Sequence, residues 1–374
     1  MPIASAKKSR LKQFKPYKKR FLGWLYTLPI ILSLVGLFFV FEASSVSAFQ
    51  EFGDSFHFLK LQAVWLVFAV AAMIFFSFFD YHKLYYLSFL FLVGTIVLLM
   101  IVLIPGIGSE VGGARRWIDL GFFNLQPTEL AKFSVIIYLS SWFMNRERKR
   151  FFSFITLLIA LMFLIILQPD LGTAIIVFSL GIVIYFLAGI ELWYLIFLLP
   201  LSLGAFFLLV KISPYRLRRV LAFFDPNLDP LGITYHINQI MISLESGGLF
   251  GLGLGASRQK YLYLPEAHTD SIFAIIGEEF GFIGGVLLIS VYIYLMYRLY
   301  QITQYANDRF GKLLAGGAFA FFSLQTIINL AGMVNLLPLT GVPLPFISYG
   351  GSNLLVSFIL IGITINIAKR IKFL

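Results

Sequence analysis

Ten stretches of this chain are apolar for close to the length a bilayer core demands, and the polar residues crowd into the gaps between them. A helix needs roughly 20 apolar residues to cross about 30 Å of hydrocarbon. Runs of that order occupy 21–43, 58–79, 84–104, 127–145, 152–168, 171–190, 192–212, 271–299, 310–334 and 347–368. The pattern predicts an all-α, polytopic integral membrane protein of about ten transmembrane helices, with residues 21–374 forming a single multi-span domain. Residues 1–20 precede the first run and read as a basic tail. One long extramembrane loop, about 213–270, interrupts the series. Inside it, DPNLDP (225–230) is a turn. The following YHINQIMISLESGG places Ile237, Ile240, Met241 and Leu244 at helical spacing. That spacing predicts an amphipathic helix lying on the outer leaflet.

Composition agrees: 59% of residues are hydrophobic and 13% charged, where soluble domains run near a quarter charged. There is no cysteine, which excludes disulfides and thiolate metal sites. The net charge is +11. Much of it sits in KKSRLKQFKPYKKR, which lacks a small-residue cleavage site and reads as an anchor against anionic lipid. No basic segment joins a soluble recognition fold, so nucleic acid is not an expected partner.

Cations also set the direction of insertion. The tail, Lys83, the cluster Arg146–Arg150, Arg298, Arg309, Lys312, Lys369 and Arg370 share one side, which predicts that both termini are cytoplasmic in a plasma-membrane protein. Lys60, Arg115, Arg116, Lys132, Lys211, Arg216, Arg218, Arg219, Arg258 and Lys260 then fall at or near the outer face. Lys60 and Lys211 read as scattered loop charge. The arginine clusters suit an anionic headgroup, diphosphate above all, because a guanidinium fork binds two oxygens at once.

Ionisable groups at membrane depth cost several kcal/mol each, about 2.5–3.5 on insertion scales, yet 262–281 is full of them. Glu266, His268 and Asp270 crowd the entrance to an apolar run, and Glu278 and Glu279 lie about two turns inside. Asp270 reads as a plain helix N-cap or as a general base whose basicity is raised by apolar surroundings. His268 is placed to orient Glu266 or Asp270. Glu278 and Glu279 read as a buried pair or hydrogen bond between helices, with Lys132 as a candidate partner. A second constellation, GGARRWIDLGFFNLQPTELAK, holds Arg115, Arg116, Glu129 and Lys132. Two more follow: QPDLGTA with Asp170, and GVPLPFISYGGSN with Ser348. All four fall on the outer side. A divalent cation held by one or two carboxylates and substrate phosphates is compatible with such hard ligands; no protein metal ligand set is assigned and no organic cofactor is expected.

Taken together, GARRWIDLG, QPTELAK, QPDLGTA, GLGLGASRQKYLYLPEAHTDSIFAIIGEE and GVPLPFISYGGSN resemble the SEDS family (shape, elongation, division and sporulation). The likeness is greater to the division branch, FtsW, and its sporulation relatives than to the elongation branch, RodA. The resemblance implies a ten-span peptidoglycan glycosyltransferase that polymerises lipid II into β-1,4-linked strands on the outer face, with inversion at the donor carbon. Asp270 matches the family's essential aspartate and is implied as general base, with Glu266 and His268 in its PE-x-H-T-D context. Arg115, Arg116 and Lys132 match the family's cations around the third loop. Glu129, Asp170, Arg258, Lys260 and Ser348 are carried with them as substrate-binding candidates. The implied partners are a single-span class B penicillin-binding transpeptidase and other membrane proteins of the division complex, at the septum. Glu245, Asn335 and Ser271 depart from the family's pattern. The rival reading is a flippase or transporter of a polyprenyl-linked cell-wall precursor, which needs polar groups along a whole path; here they gather at one face.

Overall fold

The structure is a computed structural model that describes residues 3–111, 114–121, 124–145, 151–189, 193, 200, 204, 207–225, 228–230 and 232–371, the side chains of 3–21, 111 and 215 excepted. Its helices are α1 (Ile3–Phe52), α2 (His57–Phe78), α3 (Lys83–Ile101), α4 (Pro127–Trp142), α5 (Phe151–Ile166), α6 (Leu171–Leu187), α7 (Pro214–Phe224), α8 (Tyr235–Gly247), α9 (Ile272–Tyr305), α10 (Arg309–Met333) and α11 (Gly351–Arg370). Nine of the ten expected spans coincide with described helices; the other, 192–212, lies largely outside the described residues. Six of the nine are long and apolar enough to cross a bilayer, and α5 and α6 are shorter apolar helices. The basic segment does not break away from the first span, because α1 is continuous from Ile3.

The hydrophobic pattern alone does not say which spans are central. Burial does. Helix α11 is buried along nearly its whole length and packs most extensively on α2, where Gly362 sits so close to the α2 backbone that a Cβ would lie 2.6 Å from the Met73 carbonyl oxygen. Small residues at helix crossings let backbones approach in this way. Helix α4 is also central, and its Thr128, Glu129, Lys132, Ser134 and Ser140 are all buried. At the perimeter, α2 and α3 turn Val67, Phe68, Phe75, Phe89 and Leu90 outward. An exposed apolar face that large belongs against acyl chains.

One addition to the all-α expectation stands between α3 and α4. Strands β1 (Gly108–Val111), β2 (Ala114–Asp119) and β3 (Asn124–Leu125) form a small antiparallel sheet in the order β1-β2-β3. It pairs Glu110 with Arg115 and Ile118 with Leu125.

The connections sort into two ends, as alternating spans require. At one end the Asp80 carboxylate pairs with Arg370 at 2.9 Å, Tyr81 donates to Asp308, and Arg309 donates to the carbonyls of Phe143 and Ala188. Burial opposes ionisation of Asp80, yet bonds from His82 and Arg370 win and hold its carboxyl at about 2. At the other end lie the sheet, α7, α8 and the 334–350 connection, and the site is here.

Helix α9 is broken. Gly281 has φ 65° and ψ −165°, a conformation open essentially to glycine alone. A break at that depth exposes carbonyls on one side and N–H groups on the other. The glycine-rich 248–253 segment satisfies both. Leu252 and Gly253 donate to the carbonyls of Glu278 and Glu279 at 3.0 and 3.1 Å, and Phe282 and Ile283 donate to the carbonyls of Gly248 and Leu249 at 2.9 and 3.2 Å. The first half of α9, with Asp270 just before it, is thus a separate short rod.

Helix α8 occurs where the spacing predicts, but its apolar face does not rest on the leaflet. Ile237 and Ile240 are buried against α9, and Leu244 fills the space left by Gly277. The physical reason is a better partner: the α9 half-rod offers a fitted surface that a fluid leaflet does not.

Candidate active site

Two cavities open at this end. One, of about 480 Å³, is lined by Arg218, Arg219, Asp229, His236 and Leu339 among others. The second, of about 250 Å³, is lined by Arg116, Asp170, Arg216, Arg219, Leu339 and Gly341 among others. Arg219 and Leu339 belong to both walls, and the Arg219 Nη1 donates to the Leu339 carbonyl at 2.9 Å. Asp270 lies at the same junction. A Cβ on Gly341 would sit 3.5 Å from Asp270 Oδ2 and 3.9 Å from Arg219 Nη1, and Gly341 has φ +71°.

Each group is placed by an identifiable local cause. Asp270 ends the loop ahead of α9. Its backbone carbonyl accepts from Asn329 Nδ2 (2.9 Å), which also donates to the Val342 carbonyl (2.8 Å). One helical turn away on α10, Gln325 donates to the Pro343 carbonyl at 3.1 Å. Residues four apart share a helix face, so α10 hangs Asp270 and the 342–343 loop from one edge. The Asp270 carboxylate accepts from Thr269 Oγ1 (3.0 Å), which also donates to Glu266 Oε2 (2.7 Å). Burial raises the Asp270 carboxyl above its ordinary range, a proton on His236 pulls it down, and Glu266 pushes it further up. Glu266 itself has φ +51°, uncommon for a residue with a side chain.

The arginines are drawn together against their own repulsion. Arg116, on β2, donates from Nε to Gln168 O (3.0 Å) and from Nη2 to Pro169 O (2.6 Å). Arg216, on α7, reaches Ile166 O at 3.3 Å. Burial and the Arg116 charge both lower the Arg216 pKa. Asp170 caps α6, accepting from the Thr173 N–H at 3.0 Å, and lines the same cavity.

Several sequence candidates go elsewhere. Arg115 and Arg116 do not form one fork: neighbours on a strand point to opposite faces, and Arg115 pairs instead with Glu110 at 3.2 Å. Lys132 does not meet Glu278 or Glu279. It is buried against Glu129 at 2.6 Å, with Gln325 Oε1 at 3.3 Å, while Asn353 donates to the other Glu129 oxygen at 2.9 Å. The cation beside Glu279 is Lys260 (3.3 Å), which is also held by Glu42 of α1 at 2.6 Å. Burial works against that ammonium, but the Glu42 bond and the Glu279 charge prevail and raise its pKa. Glu278 is taken up by Ser257, Ser243 and the Arg258 N–H at 2.5, 3.2 and 2.9 Å. The Arg258 side chain is exposed. Ser348 is a loop staple whose Oγ accepts from the Leu344 N–H at 2.8 Å. His268 does not orient Asp270; its ring lies near Phe58 and Tyr349, with centroids at 4.4 and 5.5 Å.

The imidazole whose charge bears on Asp270 is His236, which sequence reasoning missed. Its Nε2 is 2.8 Å from Ser271 Oγ. The signal available was a polar ring one residue before the buried stripe of α8. No three carboxylate or imidazole side chains cluster to hold a metal among the described residues.

A membrane bundle with a broken helix, and with carboxylate and guanidinium groups gathered at one end, defines the class of protein. A family model described as cell cycle protein, covering FtsW, RodA and SpoVE, matches residues 23–372, and the chain belongs to that family. It is 38% identical to stage V sporulation protein E of Bacillus subtilis, across 93% of this chain and 97% of that one. It is 38% identical to the probable peptidoglycan glycosyltransferase FtsW of Geobacter metallireducens, across 92% and 94%. Among solved structures, a chain from a study titled "Structural coordination of polymerization and crosslinking by a peptidoglycan synthase complex" superposes with a TM-score of 0.74 at 27% identity, across 92% of this chain and 96% of that one. The rod shape determining protein RodA of Thermus thermophilus superposes with a TM-score of 0.68 at 26% identity, across 93% and 97%.

Proposed function

We propose that this chain is a peptidoglycan glycosyltransferase that polymerises lipid II during cell division. The observation that carries the reading is a carboxylate at the junction of two cavities, one of which is walled by three arginines. Guanidinium groups held close enough to repel one another fit a polyanion. The smaller cavity takes the donor's diphosphate, against Arg116, Arg216 and Arg219. The larger takes the acceptor sugar. Asp270 removes the proton from the acceptor's GlcNAc 4-hydroxyl as that oxygen attacks the donor's anomeric carbon. The bond to diphosphate breaks on the opposite face, and its developing charge falls among the arginines. One displacement turns an α-linked donor into a β-1,4 bond, so no enzyme nucleophile is needed. A divalent cation would enter with the diphosphate rather than on a protein ligand cluster.

The rest of the assignment is part of the same reading: ten spans, both termini cytoplasmic, the cavities facing outward, and a septal location beside a single-span class B transpeptidase and other division membrane proteins. The FtsW name of the relatives supports the division role, and the peptidoglycan synthase complex, with its polymerization and crosslinking, supports a transpeptidase partner. The test is polymerisation of lipid II by detergent-purified protein, with and without a chelator and with and without a cognate transpeptidase. Detergent removes any gradient, so polymer speaks for the enzyme and against a flippase. Asp270→Asn is expected to cut it by about 10²–10⁴ while lipid II still binds. Strand synthesis at the wild-type rate by that variant would remove Asp270 from the chemistry.

A further inference from the structure

We propose that His236 is a positioning residue for Asp270, holding the base through the adjacent Ser271 and setting its basicity from the wall of the larger cavity. This rests on the reading of Asp270 as general base and adds a residue to it.

The geometry makes His236 the one described imidazole at the junction. It lines the larger cavity, and its Nε2 lies 2.8 Å from the hydroxyl of Ser271, which stands next to Asp270 in the chain and begins the half-rod. His268, two residues before Asp270 in the chain, is instead packed against aromatic rings. The charges that act on His236 are Asp270, Arg219 and Glu266. Arg218 and Asp229 share its cavity wall. Along α9 the next acid, Glu278, meets α8 at Ser243, two turns beyond His236. From α10 the nearby groups are Asn329, which binds the Asp270 carbonyl, and past its end Asn335 on the cavity wall; neither titrates.

Burial and Arg219 disfavour the imidazolium, whereas Asp270 and Glu266 favour it, and burial prevails, so the ring is neutral at neutral pH. A neutral ring leaves the Asp270 carboxylate without a cation at that edge and therefore basic. As pH falls, the proton that His236 gains stabilises the Asp270 carboxylate and weakens it as a base. The two groups titrate as a pair.

Two measurements decide the matter. The first is the pH profile of lipid II polymerisation. His236→Gln keeps a hydrogen-bonding group but carries no charge, so Asp270 loses a stabilising cation at low pH. Its acid limb is expected to move to higher pH, by up to about one unit, the usual spread that protein surroundings impose. His236→Arg supplies a fixed cation and is expected to move the limb down and to lower the plateau rate. A purely structural role changes the rate at every pH and leaves the limb in place. The second measurement needs no change at 236. The chain has four histidines, so the His236 ring can be assigned by NMR in selectively labelled protein. Asp270→Asn is expected to lower its titration midpoint. A superimposable acid limb in His236→Gln, or an unmoved His236 titration in Asp270→Asn, overturns the proposal. If Asp270→Asn is inactive in that case, the base assignment survives; if Asp270→Asn is fully active, both fall.

Discussion

Replacing Lys132 by alanine tests whether this cation is part of the framework or part of the substrate site. The side chains of Lys132 and Glu129 are 1% and 2% exposed, 2.6 Å apart, on successive turns of α4. Removing one partner of a buried pair costs about 3–5 kcal/mol, chiefly because the remaining charge is stranded. Here Glu129 would keep only the Asn353 bond. The damage would spread, because Lys132 also holds Gln325, and Gln325 holds the Pro343 carbonyl beside the cavities. Lys132→Ala is therefore expected to lower thermal stability in detergent by several kcal/mol. A double change, Lys132→Met with Glu129→Gln, removes both charges at similar volume and is expected to recover most of that loss. The assay is a double-mutant cycle on melting temperature, with Lys132→Met and Glu129→Gln also made singly, read beside lipid II polymerisation. Retention of wild-type stability by Lys132→Ala together with a selective loss of substrate affinity would overturn the framework role and return Lys132 to the substrate.

Three further outcomes are expected. Arg116→Ala should lower kcat/KM for lipid II by roughly ten- to a hundredfold, the worth of one hydrogen bond to a charged group, whereas Arg115→Ala should cost under about 1 kcal/mol because its exposed pair with Glu110 is weak; equal losses would contradict the split of the two across β2. Gly281→Ala places a Cβ 2.4 Å from the Gly251 nitrogen in a backbone region that strains any side chain by about 1–3 kcal/mol, so the melting temperature should fall clearly. Asp270→Asn should cut turnover by about 10²–10⁴, and wild-type activity should be lost on acidification at a pH above the ordinary carboxylate range, since burial raises the Asp270 pKa; a limb at the ordinary value would contradict a buried base.

Much of this was legible in one dimension. Apolar runs of spanning length announce helices wherever they fold, because hydrocarbon leaves the backbone few other ways to satisfy its polar groups. Nine of those runs reappear as described helices. The motif resemblance is matched by the family comparison. Asp270, Arg116 and Asp170 were recognisable as out of place in such a chain; in the structure Arg116 and Asp170 line the smaller cavity, and Asp270 lies beside Gly341 of its wall. His236 was not, because a single histidine in an amphipathic helix reads like any other polar position. The break at Gly281 was also hidden: a glycine in an apolar run looks the same whether the helix continues or stops.

The order of residues fixes the solvent this protein lives in, the helices that solvent imposes, and the residue types its chemistry must use. Which charges neutralise each other and which are left facing a cavity depends on the folded arrangement. Lys260 turns to Glu42 and Glu279, Lys132 to Glu129, and Arg116 to the space beside Asp270. The physical reason is that hydrophobic periodicity is a property of each segment, whereas an ion pair needs two segments at one point, and that meeting is set by how helices cross and where one of them breaks.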